Sequence, residues 1–121
     1  MADAHPESAL VFVVDDLLAK PGCGEALLAA YRARYVPGAV ARGMTLVHEL
    51  VAPAYWLPDG SNRLMFVWSV PGAAGTWRFK HAGRQDPAVL DWWERESATW
   101  IESRSRLILA EAAANGALAD V

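Results

Sequence analysis

Residues 9–19, Ala-Leu-Val-Phe-Val-Val-Asp-Asp-Leu-Leu-Ala, open with β-branched and aromatic residues and stop at Lys20-Pro21-Gly22. They predict a first strand, and the near-continuous apolar run predicts cover on both of its faces. From Gly24 the period lengthens: Leu27, Leu28, Tyr31, Arg34 and Tyr35 recur at helical spacing, with alanines between them. Pro37-Gly38 ends or kinks this helix and Gly43 closes the segment. Met44 to Leu57 predicts a second strand, weakened at Pro53. Pro58-Asp59-Gly60-Ser61 predicts a turn, and Asn62 to Val70 then alternates cleanly. Leu64, Phe66, Trp68 and Val70 fall on one face of this third strand, with Arg63, Met65, Val67 and Ser69 on the other.

Two helical stretches follow Pro71-Gly72. The first covers about 73–83. The second, about 87–103, is announced by Asp86-Pro87, a capping residue followed by proline at the first helical position. Its apolar stripe is Val89/Leu90, Trp93, Ser97, Trp100 and Ile101. Arg106 to Ala110 predicts a short last strand. The order is βαββαβ, an α+β ferredoxin-like arrangement whose antiparallel sheet carries helices on one face only. The other face, with Val47, Val51, Met65 and Val67, is too apolar to stay wet, and a symmetric homodimer would cover it. One domain over 9–111, with flexible tails at 1–8 and 112–121, is expected.

Composition narrows the partners. The 121 residues suffice for one domain with a core that needs no disulfide or metal, since folding at this length buries roughly 65% of the unfolded chain's surface. A net charge of -3, with only Lys20 and Lys80 as lysines, argues against a nucleic-acid partner. The longest apolar run, Ala9 to Val14, falls far short of the ~20 residues of a membrane span, and Met1 to Ser8 lacks the pattern of a signal peptide. A cytoplasmic protein without membrane attachment is expected. Cys23 is the single cysteine, so no intrachain disulfide or Cys-x-x-Cys site exists. It stands at a helix start, either as a small first-turn residue or as a somewhat stabilised thiolate.

Three groups of residues carry a family likeness: Leu18-Ala19-Lys20-Pro21-Gly22 before the first helix, Val67-Trp68-Ser69 in the third strand, and Asp86-Pro87-Ala88 leading to Trp92-Trp93. With the element order, they make residues 9–111 resemble the dimeric α/β-barrel superfamily, and within it the NIPSNAP-like proteins. The connection Ala54–Ser61 is longer than in the shortest members. The resemblance implies a ligand cavity between sheet and helices, one per protomer. It also implies a range of chemistries, from cofactor-independent monooxygenases and polyketide cyclases to haem-degrading enzymes. Several such relatives are similar in pairing a strand tryptophan with a helical histidine, here Trp68 and His81. They also use a first-strand asparagine that this chain lacks, and cyclases place a histidine in a helical segment comparable to that of His81.

No phosphate loop, zinc-helix motif or serine elbow is present, and the histidines at 5, 48 and 81 lack metal-ligand spacing. Neither a metal nor a cofactor is expected. Asp15-Asp16 reads as a solvated strand end, with paired acid–base work as the alternative. By alternation His48 shares a face with Leu46 and Leu50, which places an imidazole either in the cavity for proton transfer or in the core as a hydrogen-bonded histidine. His48, His81 and Trp68 are the catalytic candidates. For His81 the alternative is a solvent-facing helix position, and for Trp68 it is plain core packing. Tyr31, Trp77, Trp93 and Phe66 are the substrate-binding candidates, Tyr31 and Tyr35 having hydroxyls to offer. Trp77 is expected across the cavity from Trp68. Trp93 and Trp100 share the core stripe, which leaves Trp92 for a cavity wall or dimer contact. These features suggest a metal-free enzyme acting on a hydrophobic aromatic or polyketide-like molecule. A non-catalytic accessory protein binding such a molecule and a haem-binding dimer are the alternatives.

Overall fold

The computed structural model describes residues 10–72, 81–82 and 84–113. The elements are β1 (Leu10–Ala19), α1 (Gly24–Arg34), α2 (Val36–Ala41), β2 (Thr45–Ala52) and β3 (Arg63–Pro71), then α3 (Pro87–Glu94), a 3₁₀ turn (Glu96–Thr99) and β4 (Ile101–Ala110). All neighbouring strands are antiparallel, in the order β2-β3-β1-β4, and this is the expected α+β ferredoxin-like fold. Of the helix expected over 73–83, residues 73–80, with Trp77, and 83 lie outside the described residues, while 81–82 are helical; 1–8 and 114–121 of the expected tails also lie outside them.

Helices form where the punctuation predicts, with two differences. The first helix continues beyond Arg34 after a break at Tyr35, because Pro37 tolerates a first turn but not a helix interior. At α3 the Asp86 side chain accepts a hydrogen bond from the Ala88 amide at 2.9 Å, as a capping aspartate should. However, α3 is shorter than expected. The chain tightens into the 3₁₀ turn and enters β4 at Ile101, so β4 is twice the expected length. Glu102 to Ser105 is too polar to read as strand, yet the backbone of β1 pairs with Ser103, Arg104 and Ser105, and Glu102 is an extra, bulged residue between Ile101 and Ser103.

The core lies between the sheet and the helices. Leu64, Phe66, Trp68 and Val70 of β3 are all buried on this side, in agreement with the alternation, together with Val13 and Leu17 of β1. Tyr31 of α1 stacks on Phe66 at 3.7 Å between centroids, and Trp92 of α3 stands edge-on to Tyr31 at 6.2 Å. Asn62 is fully buried before β3. It accepts from the Leu57 amide at 2.9 Å and donates to the Tyr55 carbonyl at 2.9 Å, which holds the β2–β3 connection closed. Gly24 packs against it so closely that a Cβ there would lie 2.8 Å from Asn62 Oδ1.

β2 carries the main correction to the facing. Its pairing runs Leu46 opposite Trp68 and then His48 opposite Val67, so Val47 is an extra, bulged residue. A single inserted residue reverses the alternation for the rest of a strand. Leu46 therefore points at the helices, whereas His48 and Leu50 point to the open face and are exposed. Glu49 and Val51 turn inward instead. Val51 packs against the core and so leaves the set of open-face residues, while Glu49 pairs with Arg32 of α1. The open face is strongly apolar all the same, with Met65 and Val67 of β3, Phe12 and Val14 of β1, and Leu107 and Leu109 of β4.

Candidate functional site

Along β1 the inward positions are Val11, Val13, Asp15, Leu17 and Ala19, so a carboxylate occupies a core position in the middle of the sheet. Asp15 is 1% exposed, which overturns the reading of Asp15-Asp16 as a solvated strand end. Only Asp16 fits that reading in part, being partly exposed and paired with Arg63 at 2.7 Å. A buried carboxylate needs a countercharge and hydrogen bonds. The residue opposite Asp15 on β4 is Arg106, whose Nε donates to Oδ1 at 2.6 Å and whose Nη2 donates to Oδ2 at 2.9 Å. The Tyr31 hydroxyl donates to Oδ2 at 2.7 Å and accepts from the Trp68 indole N–H, also at 2.7 Å. Arg106 Nη2 additionally donates to the Tyr35 hydroxyl at 2.7 Å. One network thus joins β1, β3, β4 and α1.

Its electrostatics follow from burial. Burial pushes the Tyr31 hydroxyl well above the ordinary tyrosine range, and the neighbouring Asp15 charge adds to this, so Tyr31 is a donor locked in its protonated form. For Arg106 burial works against the charge, but the hydrogen bonds and charge of Asp15 outweigh it and hold the pKa above the usual arginine value. Arg106 also reaches the solvent side, where its guanidinium carbon lies 5.4 Å from the Trp93 ring centroid and 5.7 Å from that of Tyr35. Arg104, two residues earlier on the same face of β4, lies 4.7 Å from the Trp93 centroid. Among the described residues no group of three His, Cys, Asp or Glu side chains is placed to hold a metal ion, and no helix is long and apolar enough to cross a membrane.

The same architecture recurs in solved structures. A NIPSNAP family protein of Agrobacterium tumefaciens superposes with a TM-score of 0.64 at 16% identity, covering 92% of this chain and 95% of its own. A second NIPSNAP family protein of that organism, described as of unknown function, gives 0.63 at 14% identity over 90% and 94%. A NIPSNAP domain protein of Burkholderia xenovorans gives 0.63 at 14% identity over 84% and 94%. The chain has a NIPSNAP-like fold. Neither the protein-family models nor the curated proteins compared give a match.

Within this NIPSNAP-like fold the candidates separate into three places. Tyr31, Phe66 and Trp68 come together, but as filled core: Trp68 has no exposed surface and meets Tyr31 and Tyr35 at 6.5 and 6.1 Å between centroids. Trp93 lies at the rim of that core under Arg104 and Arg106, half-buried. Trp92, expected at a cavity wall or dimer contact, is instead fully buried against Trp100, because α3 ends before the predicted stripe is complete. His48 stands on the opposite side of the sheet from the rest, and His81 is exposed in the segment before α3. Cys23 occupies the α1 cap position without a side-chain capping bond.

Asp15 and Arg106 are the residues that sequence reasoning missed as a pair. The signal was present in phase rather than in motif. Asp15 interrupts an otherwise apolar inward row, and Arg104, Arg106 and Ile108 share one parity on β4.

Proposed function

We propose that the protein is a homodimeric small-molecule enzyme that binds a hydrophobic aromatic or polyketide-like substrate on the helix side of its sheet and moves a proton there with its own side chains. The observation that carries this reading is the Tyr35 hydroxyl: the residue is 3% exposed at the edge of the core, beside a small cleft lined by Arg42, Asp86 and Val89, and its hydroxyl accepts from Arg106 Nη2 while its own proton has no acceptor among the described residues. A phenol held from behind by a cation can give its proton to a substrate oxygen and take one back. Arg106 is itself fixed by Asp15, so this geometry is set before a substrate arrives. The Trp93 ring, 5.3 Å from that of Tyr35, adds a flat apolar wall. His81 remains a second acid–base candidate from the helical side. The role expected of His48 passes to Tyr35, since His48 falls on the open face. That face is the proposed dimer seam, supported by its continuous apolar surface across β1, β3 and β4.

Native beside denaturing mass spectrometry of the purified protein tests the reading. A small molecule of discrete mass should ride on the folded chain, leave on denaturation, and be converted when returned to fresh protein. Tyr35→Phe should retain binding and lose conversion. A molecule recovered unchanged would make the protein a non-catalytic carrier, and no molecule bound from any extract would overturn the site.

A further inference from the structure

We infer that Arg104 and Arg106, grouped about the Trp93 indole, form an anion subsite, so that the ligand is a flat apolar molecule bearing a carboxylate or an equivalent acidic oxygen. This rests on the helix-side binding reading above and specifies the ligand class that it takes. Three observations converge on it. First, the charges are unequal. Arg106 is matched by Asp15, whereas Arg104 has no ion-pair partner among the described residues although other arginines of the fold are paired. Two guanidinium carbons, 4.7 and 5.4 Å from one indole centroid, leave a net positive spot beside solvent.

Second, Arg106 has donors to spare. Its Nε and Nη2 are used by Asp15 and Tyr35, and Nη1 makes no hydrogen bond among the described residues. A rigid guanidinium whose other edge is anchored presents that nitrogen at a fixed angle, which suits a carboxylate oxygen. Third, the next residue of the same parity on β4 is Ile108, opposite Val13 and 45% exposed. Residues two apart on a strand are about 6.7 Å apart. The apolar floor therefore begins about 6.7 Å along the strand from Arg106 and about 13 Å from Arg104, a span that a fused aromatic ring bearing a carboxylate covers with the arginine side chains reaching toward it. A neutral ligand would leave the Arg104 charge unused, and a cationic one would be repelled.

Isothermal titration of the full chain with 2-naphthoate and with its neutral counterpart 2-naphthamide tests the subsite. Naphthoate should bind about 10-fold tighter or better, and the advantage should shrink in high salt. Arg104→Gln, at an exposed position, should melt like the parent chain, keep naphthamide affinity, and bring the two ligands within about 2-fold. Arg106 is left intact because it holds Asp15. Equal binding to the parent chain would overturn the anion subsite and leave the helix-side reading standing. A naphthoate preference that survives Arg104→Gln would overturn the assignment to Arg104. Binding of neither compound would overturn both readings.

Discussion

Asp15 and Arg106 stand directly opposite each other on β1 and β4 and are joined by hydrogen bonds of 2.6 and 2.9 Å on the helix side of the sheet. The pair ties the last strand to the first across 91 residues of chain. Attraction between buried charges is largely offset by their desolvation, so the pair contributes little net stability over an apolar pair of the same shape. Its effect is positional. It fixes the edge strand in register and holds the guanidinium between the core and the solvent-facing rim.

Breaking this pair on one side should therefore be far worse than removing it whole. Asp15→Ala leaves Arg106 without its countercharge and should cost about 3–5 kcal/mol in urea unfolding. Asp15→Leu combined with Arg106→Met should recover most of that loss. If the double variant is no more stable than Asp15→Ala, the argument from desolvation fails.

Tyr31 gives a pH signature. Its pKa is raised on folding, so above about pH 10 the unfolded chain loses a proton that the folded chain keeps. The unfolded state then binds fewer protons, and stability falls with rising pH by up to about 1.4 kcal/mol per unit. This contribution is fully present below pH 10 and is lost as pH climbs toward the raised value. Tyr31→Phe should flatten the alkaline slope relative to the parent. At neutral pH it should cost about 1–3 kcal/mol, because Asp15 and the Trp68 N–H each lose a partner. Unfolding titrations at several alkaline pH values measure both effects.

Trp68 behaves as core. With no exposed surface and rings of Tyr31 and Tyr35 beside it, Trp68→Ala should cost about 3–5 kcal/mol. A smaller loss in chemical denaturation, together with a loss of ligand affinity, would move Trp68 to a cavity wall.

The open face predicts the assembly. Leu107 is 50% exposed in the single chain, so Leu107→Glu should leave the fold intact while placing charges in the proposed seam. Sedimentation should show twice the 13.1 kDa chain mass for the parent and the single mass for the variant. A parent chain that sediments as a monomer at micromolar concentration rejects the dimer.

The sequence by itself determined the element order, the inward row of β3 and the cap at Asp86, because each depends on local rules: period, proline geometry and side-chain capping. It also determined that one sheet face would be left apolar. Only the tertiary structure decided the facing of β2, since a one-residue bulge at Val47 changes no composition and yet sends His48 out and Glu49 in. The length of β4 was likewise decided non-locally. Glu102 to Ser105 is polar enough for a loop, and it becomes strand because β1 offers backbone groups that this segment can pair with. The site has the same origin. A carboxylate in the middle of an apolar strand reads as an end or an error until a cation from the far terminus of the fold is brought opposite it. No spacing in the sequence encodes that meeting, because the pairing of β1 with β4 joins the first and last described strands in chain order.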